Sequence, residues 1–182
     1  GDLSGKQVEH LQPAKLAAIE AFWETRPAQP FHVVAWPDRA MAGNRWEVSV
    51  PGLGSLITAG RVDAQVKGLK YFAPADRPPV FLVFWAFRVM VGLGVAMIGL
   101  GAWGVWLLLR GRLEDARLFQ MACVAMGPAG FVSVICGWIV AEVGRQPWTI
   151  YGVLRTADSA SPVGPGQISA SLLAFIVIYA IV

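Results

Sequence analysis

Three long apolar segments fill the second half of the chain, which begins after the double proline at Pro78 and Pro79. They cover residues 80–109, about 118–141 and about 167–182. A helix needs about 20 apolar residues to cross the hydrocarbon core of a bilayer, and the first two segments exceed that length. The pattern predicts a membrane region at 79–182 with three transmembrane helices. The last apolar run continues to the end of the sequence, so the chain is expected to be a fragment.

The first half, residues 1–78, alternates polar and apolar positions and carries most of the charge. Residues 12–24 are predicted to form a short amphipathic helix, because Leu16, Ile19 and Trp23 recur at helical spacing and Pro13 suits a first turn. Short β-prone or turn-rich pieces follow, FHVVAW and RWEVSVPGLGS, and then a further amphipathic stretch, AQVKGLKYF. This half is expected to lie on the membrane surface above the spans.

The connection between the first two spans sets the predicted orientation. It reads RGRLEDAR and contains Arg110, Arg112 and Arg117. Short loops rich in Lys and Arg stay on the cytoplasmic side of a membrane. The first half of the chain then faces outward, which in a bacterium is the periplasm.

Composition narrows the function classes. Over half of the residues are hydrophobic (55%) and 15% are charged, whereas a soluble domain carries roughly 25% charged residues. The mean hydropathy of +0.54 also argues against a soluble enzyme and against disorder. The net charge of +3 comes from scattered basic residues, which excludes an obvious nucleic-acid surface.

Charged side chains inside apolar segments are costly and mark functional positions. Arg88 lies about a third of the way into the first span. It either snorkels to the interface or binds a buried anion such as a heme propionate. Glu142 ends the second span, three residues before Arg145. The two form an interfacial ion pair, or Glu142 is a carboxylate held near a metal or a proton path.

Four further residues have both a structural and a functional interpretation. Met90 is core filler or an axial thioether ligand of heme iron. Trp138 packs against a ring or against lipid headgroups. Lys15 and Glu20 are solvated charges, or they bracket a ligand with two polar oxygens such as a quinone headgroup. Composition and spacing alone therefore predict a multi-span membrane protein with an outward region and a few buried charges.

Five segments together resemble subunit I of cytochrome bd quinol oxidases: QPAKLAAIEAFWET, DRPPV, FWAFRVMVGLG, GWIVAEVGRQPW and YGVLRTADSASP. The resemblance covers essentially the whole chain and corresponds to the C-terminal part of that subunit. It implies an all-α integral membrane fold, a multi-span helical bundle in the bacterial cytoplasmic membrane. Residues 1–78 would be its periplasmic quinol-binding loop region.

The resemblance also implies the reaction and its participants. Such an oxidase oxidises ubiquinol or menaquinol, reduces O₂ to water and builds a proton gradient without pumping. It contains two b hemes and a third heme, heme d or another heme b. Its partners are subunit II, small accessory subunits and membrane lipid. The alternative is a non-catalytic membrane scaffold, a paralogue without hemes.

Residue by residue, the resemblance implies two heme sites. Met90 would be an axial ligand of the low-spin heme b iron, with Arg88 beside it. Glu142 would be the axial carboxylate of the high-spin heme b iron. Arg145 and Trp138 would belong to the same heme environment.

The same comparison of motifs assigns quinol binding and oxidation to Lys15 and Glu20. The heme-ligating histidines of the family lie in the N-terminal half of the subunit. Here His10 and His32 are both outside the predicted spans. The segment alone is therefore expected to be inactive.

Overall fold

The computed structural model describes residues 7–8, 10–159 and 163–181. The helices are α1 (Pro13–Glu20), α2 (Leu53–Ala59), α3 (Val80–Leu109), α4 (Arg117–Met126), α5 (Ala129–Glu142) and α6 (Pro165–Ile181). The strands are β1 (Arg26–Pro27), β2 (Phe31–Asp38), β3 (Gly43–Val50), β4 (Gln65–Val66), β5 (Trp148–Ile150) and β6 (Leu154–Arg155). Short 3₁₀ helices lie at Leu69–Tyr71, Pro74–Asp76, Val143–Arg145 and Thr156–Ser159.

Two helical segments, Pro74–Leu109 and Arg117–Arg145, have the length and apolar composition to cross a bilayer. Helix α3 occupies the range of the first predicted segment. The second segment is divided into α4 and α5 at Gly127 and Pro128, because proline lacks the N–H that continues a helix. The shorter α6 lies in the third predicted segment. The ends of the predicted regions, residues 1–6 and 182, lie outside the described residues.

The predicted helical membrane fold is confirmed, but the chain is not all-α, because three two-stranded antiparallel sheets are present in its described part. The largest is the β2–β3 hairpin, which pairs Phe31 with Val50 and Asp38 with Gly43. Strands β1 and β4 pair, as do β5 and β6. The β-branched and aromatic side chains of FHVVAW and RWEVSV favour extended backbone, so the β-prone pieces noted in the sequence form the hairpin.

The prediction for α1 also needs correction. The helix ends at Glu20, four residues before its predicted end, because Ala21 turns into the left-handed conformation (φ 53°). The N–H of Phe22 then bonds the carbonyl of Ala17 at 2.9 Å, as in a helix C-cap. Its buried residues are Ala14, Leu16, Ala17, Ala18, Ile19 and Glu20. The helix is therefore surrounded by protein and has no solvated face of the kind expected for a surface amphipathic helix.

The hydrophobic core joins the first half of the chain to the N-terminal end of α3. Phe22, Leu69, Val83 and Phe84 are fully buried and belong to one cluster. The N–H of Leu69 bonds the carbonyl of Phe22 at 2.7 Å and ties the loop before α3 to the end of α1. This core fixes α1 and the hairpin against the first turns of α3, where the candidate site lies.

Candidate functional site

Arg88 is the centre of a buried polar cluster between α1, β2 and α3. Its Nη2 lies 2.7 Å from the Glu20 Oε2 atom. The same nitrogen donates to the carbonyl oxygen of His32 at 2.8 Å, and Nε donates to it at 3.0 Å. We call Glu20, His32 and Arg88 the Arg88 cluster.

Aromatic rings enclose the guanidinium of Arg88. Its central carbon lies 4.7, 4.6 and 5.5 Å from the ring centroids of Phe31, Phe84 and Phe87. These distances are within the range of cation–π attraction. The remaining nitrogen, Nη1, is buried, and no hydrogen-bond partner for it occurs in the described part of the chain. Arg88 therefore does not snorkel; it binds an anion from α1 and keeps one unused donor group.

The Glu20 carboxylate is 4% exposed. Burial raises the pKa of Glu20, and the charge and hydrogen bond of Arg88 oppose that rise. A carboxyl in this environment can change protonation state near a reacting group more readily than a solvated glutamate.

Lys15 reaches a different part of the membrane region. Its Nζ donates to the carbonyl oxygen of Ala141 at 3.1 Å, at the end of α5. Burial, followed by the positive charge of Arg145, lowers the pKa of Lys15, and the charge of Glu142 raises it. Just after the end of α5, Gly144 leaves room for the lysine stem, because a Cβ there would lie 3.2 Å from Lys15 Cγ.

Glu142 and Arg145 form the ion pair expected from their spacing. The Nη2 atom of Arg145 lies 2.7 and 2.8 Å from the two carboxylate oxygens of Glu142. The Glu142 side chain is 66% exposed in this segment and the Arg145 side chain 34%. We call Lys15, Glu142 and Arg145 the Glu142 cluster.

The structure does not bring Lys15 and Glu20 together. Both belong to α1, but they take part in different clusters and contact different membrane helices. Lys15 and Glu20 are five residues apart, which corresponds to about 7.5 Å along the axis of α1. The helix therefore connects the Arg88 cluster to the Glu142 cluster.

Met90 and Trp138 have different surroundings. Met90 is half-buried, and a Cβ at Gly137 would lie 3.4 Å from its Sδ atom, so the thioether faces α5. Gly137 precedes Glu142 by five residues, which is about 7.5 Å along α5. Trp138 is 75% exposed, and within the described residues its ring has no stacking or hydrogen-bond partner. Trp138 is thus outside both clusters.

The sequence model of the family "Cytochrome bd terminal oxidase subunit I" matches residues 1–182. The chain is 38% identical over 98% of its length to cytochrome bd ubiquinol oxidase subunit 1 of Bacillus subtilis (strain 168), of which it covers 42%. It is 28% identical over 98% of its length to cytochrome bd-II ubiquinol oxidase subunit 1 of Escherichia coli (strain K12), of which it covers 48%. The chain belongs to the cytochrome bd subunit I family.

A solved structure supports the same assignment. The bd oxidase from Geobacillus thermodenitrificans matches with a TM-score of 0.79 and 29% identity, over 100% of this chain and 41% of that one. This subunit I segment thus spans less than half the length of the relatives it matches.

Sequence reasoning identified Glu20 and Arg88 separately but missed their pairing and the part played by His32. The two residues of the pair are 68 positions apart, and their contact depends on how α1 docks against α3. His32 contributes its backbone carbonyl to Arg88, which no side-chain motif predicts. The signal in the sequence that could have drawn attention to His32 was a histidine within the β-prone run FHVVAW.

In the described part of this subunit I segment, each residue that could bind a metal would supply one ligand on its own. No group of three or more His, Cys, Asp or Glu in the described ranges could hold a metal ion. A site built from one thioether or one carboxylate suits an iron whose other ligands come from a porphyrin and from the rest of the subunit. The donor set therefore fits heme.

Gly144→Ala tests the quinol-binding role that the sequence predicts for Lys15. The new Cβ would meet Lys15 at 3.2 to 3.3 Å, so the lysine stem must give way by a few tenths of an ångström, which strains its 3.1 Å bond to Ala141. We expect KM for quinol to rise several-fold in the complete oxidase while the heme spectra remain normal. Gly130→Ala is the matched control, because a Cβ there meets nothing within 4 Å. An unchanged KM would show that Lys15 need not be held at Ala141.

Proposed function

We propose that this segment is the quinol-oxidising and heme-binding C-terminal part of subunit I of a bd-type terminal oxidase. The complete protein would oxidise membrane quinol and reduce O₂ to water. The observation that carries the proposal is the buried contact between Glu20 and Arg88 at 2.7 Å. It links the outward helix α1 to α3 at a point two residues from Met90, the implied ligand of the low-spin heme.

Heme would be held from this side by Met90 and Glu142. The unpartnered Nη1 of Arg88 supplies a buried donor for a heme propionate, since a buried N–H group without an acceptor is costly. A thioether ligand raises the potential of a heme. When bound, the hemes accept electrons from quinol and deliver them to O₂.

The chain's own polar residues would handle the quinol oxygens and their protons. Lys15 carries three donor hydrogens; one bonds Ala141, and the others can bond a quinol oxygen. Glu20 would accept a proton as the quinol is oxidised, because burial raises the pKa of its carboxyl above the ordinary value. Arg88 would then keep its place by means of the carbonyl of His32.

The finer assignments follow the family. They are two b hemes and a third heme of type d or b, subunit II as partner, and ubiquinol or menaquinol as substrate. The Arg-rich connection between α3 and α4 would face the cytoplasm. Residues 1–78 would then be the periplasmic quinol-binding loop region. Quinol protons would be released outside, so the reaction would generate a proton gradient.

The complete subunit, produced in membranes with its partner subunit, tests the proposal. We expect heme bands in the reduced-minus-oxidised spectrum, together with O₂ uptake driven by ubiquinol or menaquinol. The 182-residue segment alone should show neither steady O₂ uptake nor normal heme bands, because the implied histidine ligands are not in its spans. A complete protein without heme would instead support the scaffold alternative.

A further inference from the structure

His32 is a buried titratable side chain that the proposed reaction does not yet use. It lies on β2, its side chain is 4% exposed, and its ring makes an edge-to-face contact with Phe22 at 5.8 Å. Within the described residues, the buried Nδ1 atom has no hydrogen-bond partner. A buried imidazole nitrogen in this state calls for an explanation. The backbone carbonyl of His32 accepts from Arg88, and the charge of Arg88 acts on the ring.

The acidic group beside that nitrogen is partly exposed at the outward surface. Oε2 of Glu47, on β3, lies 3.4 Å from His32 Nδ1, and the Glu47 side chain is 36% exposed. This distance is slightly too long for a hydrogen bond, but a small side-chain rotation would close it. His32 and Glu47 therefore connect a buried cluster to water in two steps.

Glu47 is fixed in this position by its neighbours. Asn44 Nδ2 donates to Oε2 of Glu47 at 2.6 Å. The Oδ1 atom of Asn44 accepts a hydrogen bond from the indole N–H of Trp23 at 2.8 Å. Trp23 is itself buried in the core next to α1. The carboxylate is thus held toward the imidazole by a chain of contacts that begins in the core.

We propose that His32 and Glu47 form an outward proton-release route from the Arg88 cluster, an inference that rests on the proposed quinol oxidation. Oxidation of one quinol gives a quinone, two electrons for the hemes and two protons. One of these protons is taken up by Nε2 of the His32 ring, and the other by Glu20. The ring then releases the proton on Nδ1, the nitrogen that lies 3.4 Å from Glu47 Oε2, to the Glu47 carboxylate, which gives it to outside water.

The charges around the ring suit this task. Burial lowers the pKa of His32 below its ordinary 6.5, Glu47 raises it, and Arg88 and Arg26 lower it. The ring is therefore neutral at neutral pH and can accept a proton. Once charged, it is attracted by Glu47 and repelled by the two arginines, which favours transfer outward. A base with a pKa near the working pH is the most effective proton carrier.

His32→Gln and Glu47→Gln test the route in the complete oxidase reconstituted in vesicles. Both variants keep the backbone carbonyl that Arg88 uses, and the amide oxygen introduced by Glu47→Gln can still accept from Asn44. Glu24→Gln is the matched control, since Glu24 lies at the outward surface and pairs with Lys70. The measurements are quinol-driven O₂ uptake against pH and proton release, followed by an impermeant pH indicator outside the vesicles.

We expect kcat to fall by about 10²-fold in His32→Gln, the lower end of the usual effect of a proton-transfer group, with KM unchanged. Wild-type activity should decline at acid pH as His32 becomes protonated, and this limb should disappear in the variant. Glu47→Gln should slow proton release. Glu24→Gln should match wild type.

O₂ uptake driven by a phenylenediamine dye, which bypasses quinol, should remain normal in each variant and shows that the hemes are intact. If His32→Gln is misfolded and loses the dye reaction, Glu47→Gln at its half-exposed position decides the matter. Wild-type pH profiles and release rates in Glu47→Gln and in any folded His32→Gln would overturn the route. Absence of quinol-driven uptake in wild type would instead reject the proposed function.

Discussion

Met90→Leu is expected to remove the low-spin heme b signature from the reduced-minus-oxidised spectrum of the complete oxidase. Leucine has nearly the volume of methionine, and such exchanges in a packed site usually cost under about 1.5 kcal/mol. Leucine has no sulfur to bind iron, so the effect is on the heme and not on the fold. Binding of O₂ at the third heme should be retained.

Met97→Leu provides the control for that variant. Met97 lies on the same helix, α3, but its side chain is exposed, and it is not in the motif that implies a heme ligand. Its spectrum should match wild type. A normal low-spin signature in Met90→Leu would remove Met90 from the ligand role.

Arg88→Leu is expected to cause the largest loss of stability among single substitutions at the site. It leaves the Glu20 carboxylate buried without its partner, and breaking a buried ion pair in this way costs about 3–5 kcal/mol. The variant should lose its heme at a lower temperature than wild type and should oxidise quinol poorly. Thermal loss of the heme spectrum measures the first effect, and O₂ uptake measures the second.

A double variant, Glu20→Gln with Arg88→Leu, tests whether the cost comes from the pair. It should recover part of the stability, because no unpaired charge remains in the cluster. Arg45→Leu is the control, since Arg45 pairs with Asp38 at the surface and surface pairs contribute little. Additive losses in the double variant would mean that Glu20 and Arg88 do not act as a pair.

The sign of the pH dependence follows from the pKa of Glu20. Burial raises this pKa in the folded state, so protonation of Glu20 is more favourable in the folded protein than in the unfolded chain. The stability that this difference contributes is fully present at pH values below the pKa of Glu20 in the unfolded chain. It is lost as pH rises through the pKa of Glu20 in the folded protein. Without Arg88 the pKa of Glu20 in the folded protein rises further. The loss of stability with rising pH should therefore extend to a higher pH in Arg88→Leu than in wild type. Glu20→Gln should remove the dependence.

The apolar pattern was sufficient to predict the long apolar helices but not the structure of the chain before α3. A run of thirty residues with Arg88 as its one charge has few other structures available, and α3 covers it. The β2–β3 hairpin was noted only as β-prone pieces, because short strands carry weak local signals. The surroundings of α1 could not be predicted, since burial of most of its residues depends on α3 and on the loop at Leu69.

The sequence indicated single candidate residues but not how they are arranged. Lys15 and Glu20 were expected to bracket one ligand, yet each contacts a different membrane helix. Their separation follows from the docking of α1, a tertiary event with no local sequence signal. The Glu142–Arg145 pair was predictable because an i, i+3 spacing on a helix brings side chains together without tertiary help.

The account depends on the Arg88 cluster joining quinol oxidation to the low-spin heme. The most direct measurement mixes quinol with the complete oxidised protein and follows the absorbance of the low-spin heme over time. We predict rapid reduction of that heme by quinol in wild type, and reduction slowed by about 10²-fold in Glu20→Gln, as for loss of a proton-accepting group. A heme that dithionite reduces but quinol does not, or a complete protein without heme, would contradict the account.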